Sequence, residues 1–274
     1  MSNLTFDQEC TAQRIASLDS FFNDYVMKGN RFICSSYPAC KKSHNGTFYK
    51  SQLHHVGSHY DAYIDNRAFR IMVVGQEYGH EPSFVSLSAR RQMVLNQTGL
   101  QKTFTQRNPH MRGTTSALRL LYGLPLRIDH NSEFLRDNSE RFHIYDAFAL
   151  VNYLLCSAVD ESEGKRGKAT SVMKHACLRH FSKAVEILEP TVMIVQSKGF
   201  WDWISRAFDQ VVPLSNELYL AHLGEKTTSV GVFAHPSTPD NLHNWGRNVN
   251  TPYLVNNVTP TLKKIRQSIL DTKQ

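Results

Sequence analysis

Apolar positions along the chain follow two rhythms, and the switches between them divide it into elements. Ile15, Leu18, Phe21, Phe22 and Tyr25 recur at helical spacing and predict an opening helix over residues 7–27. The pattern then breaks, with Gly, Ser, Asn and His crowding residues 32–67, so an irregular segment is expected there. "FRIMVVG", residues 69–75, is an apolar run closed by glycine and predicts a strand buried on both faces. "TTSALRLLYGLP" offers Thr114 or Thr115 as a cap, a leucine-rich face and a Gly-Leu-Pro stop, which predicts a helix. "FHIYDAFALVNYLL" reads as a second strand, irregular near its end. A charged loop, "ESEGKRGKATS", precedes a helix over 172–188 that Pro190 stops. "TVMIVQ" predicts a third strand, "GFWDWISRAF" a helix, "TSVGVFAHPS" a last strand and "TPTLKKIRQSIL" a closing amphipathic helix.

Strands alternating with helices imply an α/β fold, a three-layer α/β/α sandwich around a mainly parallel four-stranded sheet. With no repeat, linker or low-complexity tract, residues 1–274 are expected to form a single domain. Reactive groups in such sheets lie just past the carboxyl ends of the strands. Two polar clusters sit there: "GQEYGHEP" after the first strand and "HPSTPDN" after the last.

Composition narrows the classes. No apolar run reaches membrane-spanning length, so no membrane partner is expected. The N-terminus has no cationic head followed by an apolar stretch, which makes a cytoplasmic protein the expectation. The net charge of +7 would concentrate a polyanion such as DNA near the surface, and it equally suits an ordinary basic enzyme. Five cysteines, an odd count, argue against a disulfide framework and leave metal ligation, a reactive thiol or plain burial.

Three constellations carry candidate chemistry. In "VVGQEYG", Gly75 and Gly79 let backbone approach a ligand, and Glu77 and Glu81 are placed to activate water or oppose a developing cation, unless they are solvated loop charges. In "FAHPSTPDN", Pro236 stiffens the backbone around His235, suiting it to donate to charge on a leaving group; a loop histidine without a task is the plainer alternative. In "ALVNYLLC", Asn152 sits inside an apolar strand, where an unpaired amide costs on the order of 1–3 kcal/mol. Its donor and acceptor match the Watson–Crick edge of a pyrimidine, or else pair with neighbouring backbone.

In this order the three motifs resemble the uracil-DNA glycosylase superfamily, over a stretch from about Cys34 to Trp245. "VVGQEYG" is similar to its first motif, GQDPY in typical uracil enzymes and GEAPG in the iron–sulfur branch called family 4. "AHPST" is similar to its second, HPS, and Asn152 stands four residues before Cys156, as in the family 4 pattern N-x-x-x-C. The resemblance implies that Cys34, Cys40, Cys156 and Cys177 hold a [4Fe–4S] cluster, although "CSSYPAC" has a wider gap than the family usually shows. A zinc site or four unligated cysteines stay open, and Cys10 is left out.

The resemblance also implies roles. Glu77 is the catalytic carboxylate, Gln76 positions water, and His235 donates to the leaving base. Asn152 reads that base, with Tyr78 and Gly79 beside it. Gly79 stands where a tyrosine excludes 5-substituents in uracil enzymes, leaving the space above C5 open. The family 4 stacking phenylalanine is replaced by His110 or Met111, or by Phe84 from a basic insertion at residues 81–106. That insertion shapes a larger pocket, holds the DNA backbone, or is a solvated loop. The loop "TPDNLHNWGR" would face the minor groove, with Leu242 as wedge and Ser237, His243 and Arg247 near phosphates. The expected activity is that of a monomeric DNA glycosylase flipping out a pyrimidine, with a bulky 5-modified cytosine of bacteriophage DNA as target and antiviral defence as the role. Uracil repair is the alternative, followed by an inert DNA-binding sensor of the same fold and a hydrolase of free nucleotides.

Overall fold

The computed structural model describes residues 3–29, 31–49, 53–77, 86–98, 103–137, 140–160, 166–167, 169–240 and 242–271. Helix α1 (Gln8–Tyr25) starts at Asp7, whose side chain accepts from the Cys10 N–H, and buries Thr11, Leu18 and Phe22. The stretch expected to be irregular holds a short helix α2 (Tyr37–Lys42) and strands β1 (Thr47–Tyr49) and β2 (His55–Val56). Strand β3 (Ile71–Gly75) is buried at every position, as its unbroken apolar run requires.

The insertion contains helix α3 (Leu87–Leu95), capped by Ser86 and burying Leu87, Arg90 and Val94. It is therefore no mere solvated loop. Within it Arg90 is buried and Arg91 pairs with Asp146 at 3.0 Å, and just beyond it Arg107 pairs with Glu133 at 2.6 Å. Helix α4 (Pro109–Tyr122) begins earlier than its leucine-rich face suggested, because Asn108 accepts from the Met111 N–H and Pro109 fits the first turn. It ends on Gly123 at φ +73°, a left-handed cap. The shift brings His110 into the helix.

The second expected strand is shorter than its apolar run. A helical turn at Ile144–Asp146 comes first, and only β4 (Ala149–Asn152) pairs into the sheet. Strands β5 (Ser157–Asp160) and β6 (Arg166–Gly167) pair with each other, and β5 pairs with β1, forming a small side sheet. Then come α5 (Ser171–Leu188), capped by Thr170, and β7 (Val192–Val195). Helix α6 (Trp201–Ile204), β8 (Gln210–Pro213), β9 (Leu218–Leu223), β10 (Lys226–Val232) and α7 (Thr259–Asp271) complete the chain.

The fold is α/β, but the central sheet has seven strands rather than the expected four, in the order β8-β9-β10-β7-β3-β4-β2. Strands β10, β7, β3 and β4 run parallel, while β2 and the β8–β9 pair join antiparallel at the two edges. Side chains alternate between two cores. Met72, Val74, Met193 and Val195 pack with Leu18 and Phe22 of α1 and Phe181 of α5. Ile71, Val73 and Ile194 pack with Leu118 and Leu121 of α4 and Leu262 of α7. Among the described residues no helix is long and apolar enough to cross a membrane.

Candidate active site and cysteine pocket

The parallel strands deliver their carboxyl ends to one edge, and the polar residues expected to act lie along it. Asn152, 4% exposed, closes β4 and stands in register with Gly75 at the end of β3. A Cβ on Gly75 would lie 2.8 Å from Asn152 Oδ1 and 3.6 Å from His110 Nε2. Glycine thus keeps open the space between amide and imidazole. The His110 and His235 rings stand 5.5 Å apart, tilted by 31°. Burial pushes the His110 imidazole down to about 3, with His235 and Arg90 acting in the same direction, and burial also lowers His235. Both rings are neutral at physiological pH.

Contacts around His235 fix its tautomer. The Ser237 N–H, which can only donate, reaches Nδ1 at 3.2 Å, and Ser237 Oγ lies 2.8 Å from the same atom. With Nδ1 accepting, the neutral ring carries its proton on Nε2 and is a donor there. The backbone on either side is anchored. Trp245 Nε1–H donates to the Ala234 carbonyl at 2.7 Å, and the Gly246 N–H donates to the Pro236 carbonyl at 2.9 Å.

Past β3, the Gly75 and Gln76 carbonyls accept from the Tyr153 and Leu154 N–H groups, each at 2.9 Å, tying this turn to the residues after Asn152. Gln76 is half-buried. Glu77 is also half-buried, its Oε2 finds no hydrogen-bond partner among the described residues, and burial pushes its pKa up to about 7. Tyr78, Gly79 and Phe84 lie outside the described residues. In the last loop Leu242 is 67% exposed. Arg247 is exposed nearby, and His243 is ion-paired to Asp240 and packs edge-on against Tyr253.

Cys34, Cys40, Cys156 and Cys177 line one small apolar cavity, together with His180. Cys34 Sγ lies 3.6 Å from His180 Nε2. Burial pushes Cys177 up to about 12, with Cys40 and Cys34 adding to it. Cys156 is raised by burial and then by all three other thiols, and Cys40 by burial and then by Cys34. Such thiols ionise only if cationic charge sits among them. No three of the sulfurs lie within 4.8 Å of one another among the described residues. One tetrahedral zinc, at ~2.3 Å from each, would draw them to ~3.8 Å.

The one described set of ligand atoms within 4.8 Å is His130, Glu133 and His143. It is poorly suited to a cation. Glu133 accepts from Arg107 at 2.6 and 3.0 Å, from Arg119 at 2.8 Å and from His143 at 2.8 Å. Burial alone would raise its pKa, but these partners hold it well below the usual carboxylate range.

Two features of the edge escape sequence reading. Gln196, fully buried at the end of β7, donates from Nε2 to Thr114 Oγ1 at 3.1 Å. Gly167 of β6 packs against the Glu77 carboxyl, from within what reads as a charged loop. Asn108-Pro109 was the local signal for the earlier α4 start; nothing local marks Gly167. Compared with known proteins, the chain matches no family model and no curated protein.

Proposed function

We propose that this protein is a monofunctional DNA glycosylase with the three-layer fold of the uracil-DNA glycosylase superfamily, acting on a 5-modified cytosine flipped from phage DNA. The observation that carries the reading is the meeting, at one strand edge, of a carboxyl whose Oε2 has no partner among the described residues, a histidine with its proton on Nε2 and a buried amide. Asn152 reads the Watson–Crick edge of the extruded base, and His110 lies alongside it. As the C1′–N bond breaks, its electron pair passes to the base, and His235 Nε2–H hydrogen-bonds the O2 where the charge gathers. Glu77, ionised, opposes the positive charge on the sugar and takes a proton from the water that Gln76 orients; the water oxygen bonds to C1′. Leu242 fills the gap in the base stack, and Ser237 and Arg247 face the backbone.

In the same proposal the four pocket cysteines hold a [4Fe–4S] cluster. When bound, it supplies scaffolding, tying α2 to the chain after Asn152. Protein purified without oxygen should then be brown and contain iron; colourless, iron-free protein of full activity would overturn this part.

The function is tested on single strands and duplexes carrying uracil, cytosine, 5-hydroxymethylcytosine or glucosylated 5-hydroxymethylcytosine, with mass analysis of released bases. Release of the modified bases is expected. Release of uracil alone would make this a uracil-repair enzyme. DNA binding without release would make it a sensor, and turnover of free nucleotides alone a nucleotide hydrolase.

A further inference from the structure

We propose that Gly167 is a positioning residue for Glu77, because its bare backbone forms the wall that holds the carboxyl inside the site. The inference rests on reading Glu77 as the catalytic carboxylate, and it adds a residue that no site motif contains.

The geometry is specific. A Cβ on Gly167 would overlap Glu77 Oε1 and stand 2.9 Å from the carboxyl carbon. The backbone of Gly167 is not left-handed, so any residue could adopt it; the approach to Glu77 is what demands glycine. Strand β6 is itself held in place, since Gly167 pairs with Val159 of β5, and β5 pairs with β1. Both supporting strands leave from the cysteine pocket: β5 begins directly after Cys156, and β1 follows α2, which carries Cys40. The wall is therefore a braced structure.

The consequence for the acid is direct. With the glycine backbone beside it, the carboxyl is shielded from water, and burial is the one cause of its raised pKa among the described residues. Among the described residues no titratable or charged group of α3, α4, β5, β6 or the loop after β10 enters that shift. Adding a methyl group at 167 would turn the carboxyl out toward water and away from the reacting centre.

The test reads the acid itself, with or without a substrate. Protein carrying ¹³C-labelled glutamate is titrated by NMR, and Glu77→Gln identifies the resonance. The wild-type carboxyl should titrate near its raised value of about 7, and in Gly167→Ala it should fall by at least about one unit toward an ordinary glutamate. On a duplex carrying glucosylated 5-hydroxymethylcytosine, the same variant should lose about a hundredfold in kcat at unchanged KM, the scale for a misplaced reacting group. A carboxyl that titrates identically in both proteins overturns the proposal, whatever the activity. A carboxyl that shifts in a protein releasing no base from any duplex sustains the positioning role and sinks the glycosylase reading instead. If Gly167→Ala does not fold, Gly167→Ala/Glu77→Ala should fold, because the clash is gone. Failure of both variants overturns the proposal.

Discussion

Two buried glutamates show what this fold does with a carboxyl. Glu133 is 0% exposed, yet both its oxygens are engaged by Arg107, Arg119 and His143. Glu77 keeps some solvent contact, yet its Oε2 has no partner among the described residues. One is held well below the usual pKa range by its partners against the effect of burial, and the other is pushed up to about 7 by burial alone. A paired carboxylate is part of the scaffold. One with an oxygen unpartnered among the described residues costs stability, and the fold keeps it at the strand edge where Asn152 and His235 also lie. Buried charge by itself is not the mark of a site; lack of compensation is.

The comparison breaks most severely at Glu133. Glu133→Ala leaves two fully buried guanidinium groups facing each other, and removing one partner of a buried ion pair costs about 3–5 kcal/mol. Chemical denaturation should record a loss of that size, with base release failing through unfolding. A variant of near wild-type stability would show that the ion pairs of Glu133 with Arg107 and Arg119 do not hold this part of the fold together.

Glu77→Ala should do the reverse. Base release should fall by about a hundredfold or more, the scale for losing an acid/base group, while the melting temperature at pH 8 should not fall. Loss of stability together with activity would move Glu77 to the scaffold class.

Titration sharpens the contrast because the two acids respond to pH with opposite sign. Glu133, lowered on folding, contributes stability above its unfolded value of 4.5 that is lost as acid protonates it. Glu77, raised on folding, favours the fold fully below 4.5, and that contribution is lost as pH climbs through about 7. Above about pH 7 the wild type should therefore be less stable than Glu77→Gln, by up to about 3 kcal/mol, with the gap closing by pH 4.5. Base release should rise through the same window as the carboxyl ionises. A rate independent of pH between 5 and 8 would remove Glu77 from the rate-determining chemistry.

How much of this was legible in the sequence depends on how far apart the causes lie along the chain. Strands β3, β4 and β7 are buried at every position and read as apolar runs, and β10 is buried over its last three residues, where the sequence turns apolar. Strand β8 has no buried position and β9 buries only Leu218 and Ala221, so they carry only a diluted signal and were missed. The candidate site was legible where a motif sits on a strand end, as for Gln76, Glu77, Asn152 and His235. It was illegible where the cause is tertiary. Arg107, Arg119, Glu133 and His143 look like solvated charges until α4 and the turn before β4 fold together. Gly167 is ninety positions from the side chain it confines, and only the β5–β6 pairing reveals the contact.

The smallest effect is expected at Ser237, where the site carries a redundancy. Its hydroxyl lies 2.8 Å from His235 Nδ1, which suggests a role in orienting the ring, but its own backbone N–H already donates to that nitrogen at 3.2 Å. Ser237→Ala removes the hydroxyl and keeps the N–H, so Nδ1 still accepts and Nε2 keeps its proton. One neutral hydrogen bond is worth about 0.5–1.5 kcal/mol, so base release should fall by roughly tenfold at most. Ser237→Pro removes the N–H as well, and with it the backbone bond that sets the tautomer; its loss should approach that of His235→Ala, about a hundredfold. Single-turnover rates on one duplex distinguish the cases. Ser237→Ala as damaging as His235→Ala would show that the tautomer is not held by backbone alone.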